Sequence, residues 1–166
     1  MFGGLHVPEP LSSDEVLLRL AYDFTPRVEV VRPTLLLLGL EGLSGLWPSL
    51  DDLGRALLES AQRHASEARV ALAVTSTAAL LAARGRPGLS LIPSGGEAAA
   101  LAPLPLDLLE LGAERLALLR RWGLTTLGDL AALPAIGLAE RLGPDAPRLR
   151  RLARREEMGL LAPTAL

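Results

Sequence analysis

The chain has 166 residues, 49% of them hydrophobic, with 17 basic and 19 acidic residues and a net charge of −2. That composition supports a packed core and argues against global disorder. The absence of cysteine excludes disulfides, thiolate metal sites and a cysteine nucleophile. No apolar run approaches a membrane span and no secretory leader is visible, so a cytoplasmic protein is expected.

Met1–Leu11 reads as a loose or strand-like start. Ser12-Ser13-Asp14-Glu15 precedes apolar residues at Val16, Leu17, Leu20 and Ala21, which predicts a capped helix ending near Tyr22. Val28–Val31 and Leu35–Leu38 are short apolar runs separated by Arg32-Pro33, and they predict paired strands. Leu35–Leu38 is apolar on every side, as expected of a central strand buried on both faces. Ser49 caps a second helix with Asp51 and Asp52 in its first turn. The helix dipole explains that acidic pair better than a metal does. Leu53, Leu57, Leu58 and Ala61 give the helix an apolar stripe. Ala68–Val74 reads as a strand, Thr75 or Ser76 as the cap of a helix through Arg84, Leu89–Ile92 as a short strand, and Glu97 as the start of a short helix. The order predicts an α/β (α+β) fold, a mixed sheet with helices on one face.

From residue 102 onward no strand is convincing. Pro103, Pro105, Pro134, Pro144 and Pro147 divide short Leu/Ala helices, so a boundary is expected between a domain of residues 1–101 and a helical domain of residues 102–166. Charge divides as well. Residues 1–100 hold 8 Arg against 11 acids, and residues 101–166 hold 9 Arg against 8 acids. In the second part, Gly123 suits a helix C-cap, Leu124 is a buried plug, and Thr125 or Thr126 caps the next helix, which begins near Gly128. This is the pattern of a helix-hairpin-helix. Such a unit can turn backbone N–H groups toward a phosphate, but the same residues also build an ordinary packing hairpin. Arg148, Arg150, Arg151, Arg154 and Arg155 form a basic run able to follow a phosphate backbone. A solvated helix face explains the run equally well.

Other chemistry-bearing residues read as structural. His6 is assigned to a mobile end and His64 to a helix end, neither with a partner that would make it a general base. Ser44, Ser76 and Ser94 are loop or cap residues without a nucleophile elbow. Gly39-x-x-Gly42-x-x-Gly45 lacks the ending of a phosphate loop.

The ordered series Pro26–Val30, Gly39-Leu40-Glu41-Gly42, Val70–Thr75, Leu101-Ala102-Pro103-Leu104-Pro105 and Trp122–Ala131 resembles the Y-family DNA polymerases, in particular the ImuB-like branch, which lacks polymerase activity. The resemblance covers roughly residues 12–158. It implies a palm-like layer followed by a helical thumb, without the family's fingers and little finger. In the family an adjacent Asp-Glu supplies metal ligands, and an N-terminal palm strand brings another metal-binding Asp. Here Thr34 and Leu35 stand at the Asp-Glu positions, so no catalytic residue and no metal cofactor are expected. The implied role is a non-catalytic accessory or scaffold in DNA damage tolerance, within translesion synthesis and SOS mutagenesis. The implied partner is a RecA-like ImuA-type protein. The single Gln, Gln62, lies mid-helix, and no sliding-clamp peptide is present. The alternative is a stand-alone DNA-binding module using the hairpin (Gly123, Thr125, Thr126, Gly128) and the Arg run.

Overall fold

The computed structural model describes residues 1–11 and 14–134. They divide between two compact units, residues 1–94 and residues from 95 onward. The first unit is a five-stranded mixed sheet. Its strands are β1 (Phe2–His6), β2 (Val28–Arg32), β3 (Leu35–Gly39), β4 (Arg69–Ala73) and β5 (Leu89–Leu91), in the order β2-β3-β1-β4-β5. β1 pairs antiparallel with both β3 and β4, and β5 runs parallel to β4. α1 (Asp14–Tyr22), α2 (Leu50–Gln62) and α3 (Ser76–Gly85) complete the unit.

The strand pair and three helices lie where the apolar patterns predict them. Ser49 accepts the Asp52 N–H and opens α2, and Thr75 accepts the Ala78 N–H and opens α3. Each cap satisfies one of the N–H groups that a helix start leaves without an intrahelical partner. Asp51 and Asp52 belong to this helix start. Asp51 pairs with Arg55 at 2.6 Å, and Asp52 accepts from Ser49 Oγ at 2.6 Å.

One expectation is sharpened and another corrected. Of the two readings of the first eleven residues, loose or strand-like, the structure has the strand, and Phe2–His6 is the middle strand of the sheet. β3 is an interior strand beside it, all four of its leucines buried. The helices also do not share one face. Leu5, Leu36, Leu38, Val70 and Leu72 pack toward α1 and α2 with Leu17, Leu53 and Leu57. The opposite face carries Leu35 and Leu37 against Leu80 of α3. A strand alternates its side chains, so an all-apolar β3 needs cover on both sides.

Gly3 and Gly4 make this sandwich possible. A Cβ on Gly4 would lie 2.4 Å from the Ala79 carbonyl oxygen of α3, whereas one on Gly3 would meet side chains of Leu40 and Leu72 at 3.3 Å. The missing side chain lets the α3 backbone settle against the middle strand.

The second unit holds α4 (Glu97–Leu101), a 3-10 turn at Leu106–Leu109, α5 (Ala113–Arg121) and α6 (Leu127–Ala132). Its apolar centre is Leu101, Leu104, Leu106, Leu119, Leu127 and Leu130. The Leu127 and Gly128 N–H groups donate to the carbonyls of Leu104 and Ala102, tying the start of α6 to the segment after α4.

Gly4→Ala should therefore cost about 3 kcal/mol or more, because backbone must move. Gly3→Ala should cost about 1 kcal/mol, because leucine side chains can shift. Urea denaturation of the two variants checks this, and equal losses would contradict the packing described.

Candidate functional site

The end of the sheet where β1 leaves and β3 begins is the place to look for chemistry. The turn Pro33-Thr34 joins β2 to β3, and the Thr34 carbonyl accepts the Val7 N–H at 2.9 Å. Register places His6 between Leu35 on one side and Arg69 on the other. Leu35 is 2% exposed and packs with Leu37, Leu80, Phe2 and Val31. The side chains gathered here are thus an imidazole, a leucine, a half-buried threonine and an arginine.

That set does not fit a two-metal carboxylate centre, which needs oxygen anions close together. Among the described residues, no group of three or more His, Cys, Asp or Glu side chains could hold a metal ion.

His6 is not in a mobile end, as the sequence suggested, but in the last position of the middle strand. Its Nδ1 is buried and has no hydrogen-bond partner among the described residues. Burial first, then the charges of Arg69 and Arg84, lower its pKa to about 4. Sequence pattern alone hid this, because a five-residue strand with two glycines carries little periodicity. His64 is exposed after the end of α2.

The second place of interest is the α5–α6 hairpin. Gly123 has φ +80°, the left-handed conformation expected of a helix C-cap. Thr126, rather than Thr125, caps α6, and Asp129 closes a reciprocal capping box. One oxygen of Asp129, Oδ2, accepts from the Thr125 and Thr126 N–H groups, each at 2.9 Å. These bonds, the Thr125 N–H first, hold the Asp129 carboxyl down at about 2.

Every backbone N–H from Gly123 to Leu130 donates to an acceptor of the chain itself. Asp129 accepts two of them, those of Thr125 and Thr126. Arg148, Arg150, Arg151 and Arg154 lie outside the described residues, as do Ser12 and Ser13.

A third feature is a groove of about 380 Å³ in the first unit, lined by Met1, Leu40, Trp47, Leu50 and Leu53 with Glu41 at its rim. Trp47 stacks on Phe24 at 5.9 Å, Leu46 is 75% exposed and Leu50 is 41% exposed. Among the described residues no helix is long and apolar enough to cross a membrane.

Two measurements test this geometry. The folded-state pKa of His6 lies below its unfolded value of 6.5. The unfolded chain therefore binds the extra proton between those values, and stability present above pH 6.5 is lost as pH falls toward 4. Discounted for partial exposure, the loss should be about 1–2 kcal/mol, and it should disappear in His6→Leu. In the hairpin, Thr126→Ala should cost about 1 kcal/mol by loss of the cap, read by denaturation.

No family model matches the sequence. ImuB of Caulobacter vibrioides is 37% identical over 120 residues, which is 72% of this chain and 26% of that protein. DNA polymerase IV of Dehalococcoides mccartyi is 33% identical over 135 residues, covering 79% of this chain and 35% of that protein. The chain thus spans about a quarter to a third of the curated relatives it matches. Among solved structures, a DinB family error-prone DNA polymerase from Sulfolobus solfataricus superposes with a TM-score of 0.69 at 18% identity, over 90% of this chain and 47% of that one. A Dbh ternary complex gives 0.63 at 17%, over 90% and 46%. At such identities the structures speak for the fold, and the sequence relatives speak for descent. Over its palm-like region the chain is an ImuB-like homologue of the Y-family DNA polymerases.

Proposed function

We propose that this protein is a non-catalytic Y-family homologue acting as an accessory or scaffold in DNA damage tolerance. It works through protein contacts and touches DNA weakly. Homology to ImuB and DNA polymerase IV supports the context. The observation that carries the non-catalytic part is Leu35. At the position where the family pattern has a metal-binding carboxylate, a leucine is buried in an apolar cluster. Thr34 beside it spends its carbonyl on the Val7 N–H.

Protein contact is supported by the groove at Leu40–Leu53, where Leu46 and Leu50 remain exposed beside Trp47. Exposed leucines near an apolar groove suit a protein contact. The partner proposed from the resemblance is a RecA-like ImuA-type protein. Residues from 95 onward form the thumb-like part of this reading. The hairpin contributes little to DNA binding, because Asp129 occupies its N–H donors. Weak contact then falls to Arg148, Arg150, Arg151 and Arg154.

Primer extension with magnesium and nucleotides should give no product. Binding to a labelled duplex should be weak at low salt and vanish at high salt. Changing Arg150, Arg151 and Arg154 together to Ala should remove what binding remains, and Thr125→Ala should leave it unchanged. Capture from the native cells should retrieve a RecA-like protein, and Leu46→Asp with Leu50→Asp should reduce that capture at least tenfold. Primer extension, or tight binding through the hairpin, would overturn the proposal.

A further inference from the structure

We infer that β5 is an edge suited to pair with a second copy of this chain, strand against strand across a two-fold axis at Ser90. The sheet has two edges, β2 and β5. β2 is guarded. Its register shifts between Val30 and Arg32, and Pro33 follows. A bulge, a charge and a proline are devices that keep an edge from pairing. β5 (Leu89–Leu91) has none of them within the strand. Gly88 and Ile92 turn their bonding groups toward β4. The Val70 N–H donates to the Gly88 carbonyl at 2.9 Å, and the Ile92 N–H donates to the Leu72 carbonyl at 2.9 Å. Alternation then turns the N–H and C=O groups of Leu89 and Leu91 outward. Among the described residues these groups have no partner. The Leu91 side chain is 42% exposed as well.

The occupant is a second copy because the sequence about Ser90 matches itself in reverse. In an antiparallel pair centred on Ser90, Leu89 faces Leu91 and Pro87 faces Pro93 of the second copy. Leu89 and Leu91 would exchange both N–H···O bonds. The ladder would stop where the prolines, which have no N–H, come to face each other. Residues near a two-fold axis lie beside their own copies, so a charge there would repel itself. From Pro87 to Gly96 the chain carries none. Helix α2 adds charge complementarity. A Cβ on Gly54 would meet Leu89 Cδ1 at 2.7 Å, so that side of α2 lies over β5. The ion pair of Asp51 and Arg55 continues the same side outward. A strand spacing of about 4.8 Å would set α2 and its copy about 10 Å apart, a helix-packing distance. The two helices would run antiparallel, with Asp51 toward Arg55 of the second copy. This pairing stands apart from the scaffold reading, which survives if the pairing fails.

Sedimentation equilibrium of the full chain measures the pairing. The mass should rise from 17.5 kDa toward twice that value as concentration increases, with the dimer half-formed by about 100 μM. Leu91→Lys puts a charge on the edge and should weaken the dimer at least tenfold. Val30→Lys, at a site 52% exposed on the other edge, should leave it unchanged. The chain has no cysteine, so oxidation of single-cysteine variants reads the register. Ser90→Cys should cross-link to itself, because the facing Cα atoms of such a pair lie about 4.5 Å apart. Leu91→Cys should cross-link far less, because it faces Leu89 of the second copy. A chain still monomeric at about 100 μM, a dimer unmoved by Leu91→Lys, or equal cross-linking of the two cysteine variants would overturn the pairing. Should Ser90→Cys fail to fold, Leu91→Lys against Val30→Lys decides the matter, equal effects overturning it.

Discussion

The first unit depends on the close approach of α3 to Gly4. A five-stranded sheet with a fully apolar interior strand must be covered on both faces. On one face α1 and α2 supply a broad layer of leucine. On the other, α3 supplies small residues, Ala78, Ala79, Ala82 and Ala83, all buried. Small residues bury little area each, so this face gains its contact by proximity rather than bulk. Gly4 grants that proximity, since any Cβ would strike the Ala79 carbonyl. In the same strand, register places His6 opposite Leu35 and Arg69.

On the proposed reading, that strand end keeps a polymerase-like frame while its chemistry is replaced. The sheet order, the β2–β3 pair and the two-sided cover serve packing and make no demand on carboxylates. Leu35 illustrates the exchange. Burying a leucine stabilises by about 2 kcal/mol, whereas two neighbouring carboxylates would repel each other and pay for desolvation unless metal ions joined them. On the proposed reading, what remains at the strand end is a cationic and apolar corner. The hairpin follows the same logic. Asp129 accepts the Thr125 and Thr126 N–H groups at the start of α6, and its low pKa keeps it charged through ordinary conditions.

Much of this was legible in the sequence. Ser49 and Thr75 announced their helices because a side-chain oxygen at a helix start has one task. Leu35–Leu38 announced an interior strand because nothing polar interrupts it. Gly123 announced a left-handed turn. β1 was only half legible, as loose or strand-like, because Gly3-Gly4 look like a loop when only local propensity is weighed, and the reason for Gly4 lies in α3, 75 residues away in sequence. The split of helices between two faces was hidden likewise, since Leu36 and Leu37 are identical in type and differ only in which side they face. His6 inherited the error about its strand. The occupation of the hairpin by Asp129 could have been foreseen, because Thr126-x-x-Asp129 has the spacing of a reciprocal cap.

The central claim is that the strand end carrying Thr34, Leu35 and His6 keeps the polymerase-like frame without a divalent-cation site. Paramagnetic broadening by Mn²⁺, followed on the Leu35 and Leu37 methyl groups and the His6 imidazole, tests it most directly. The account predicts no saturable broadening centred on these residues. Saturable broadening that peaks at Leu35 and His6 and is reversed by Mg²⁺ would contradict it.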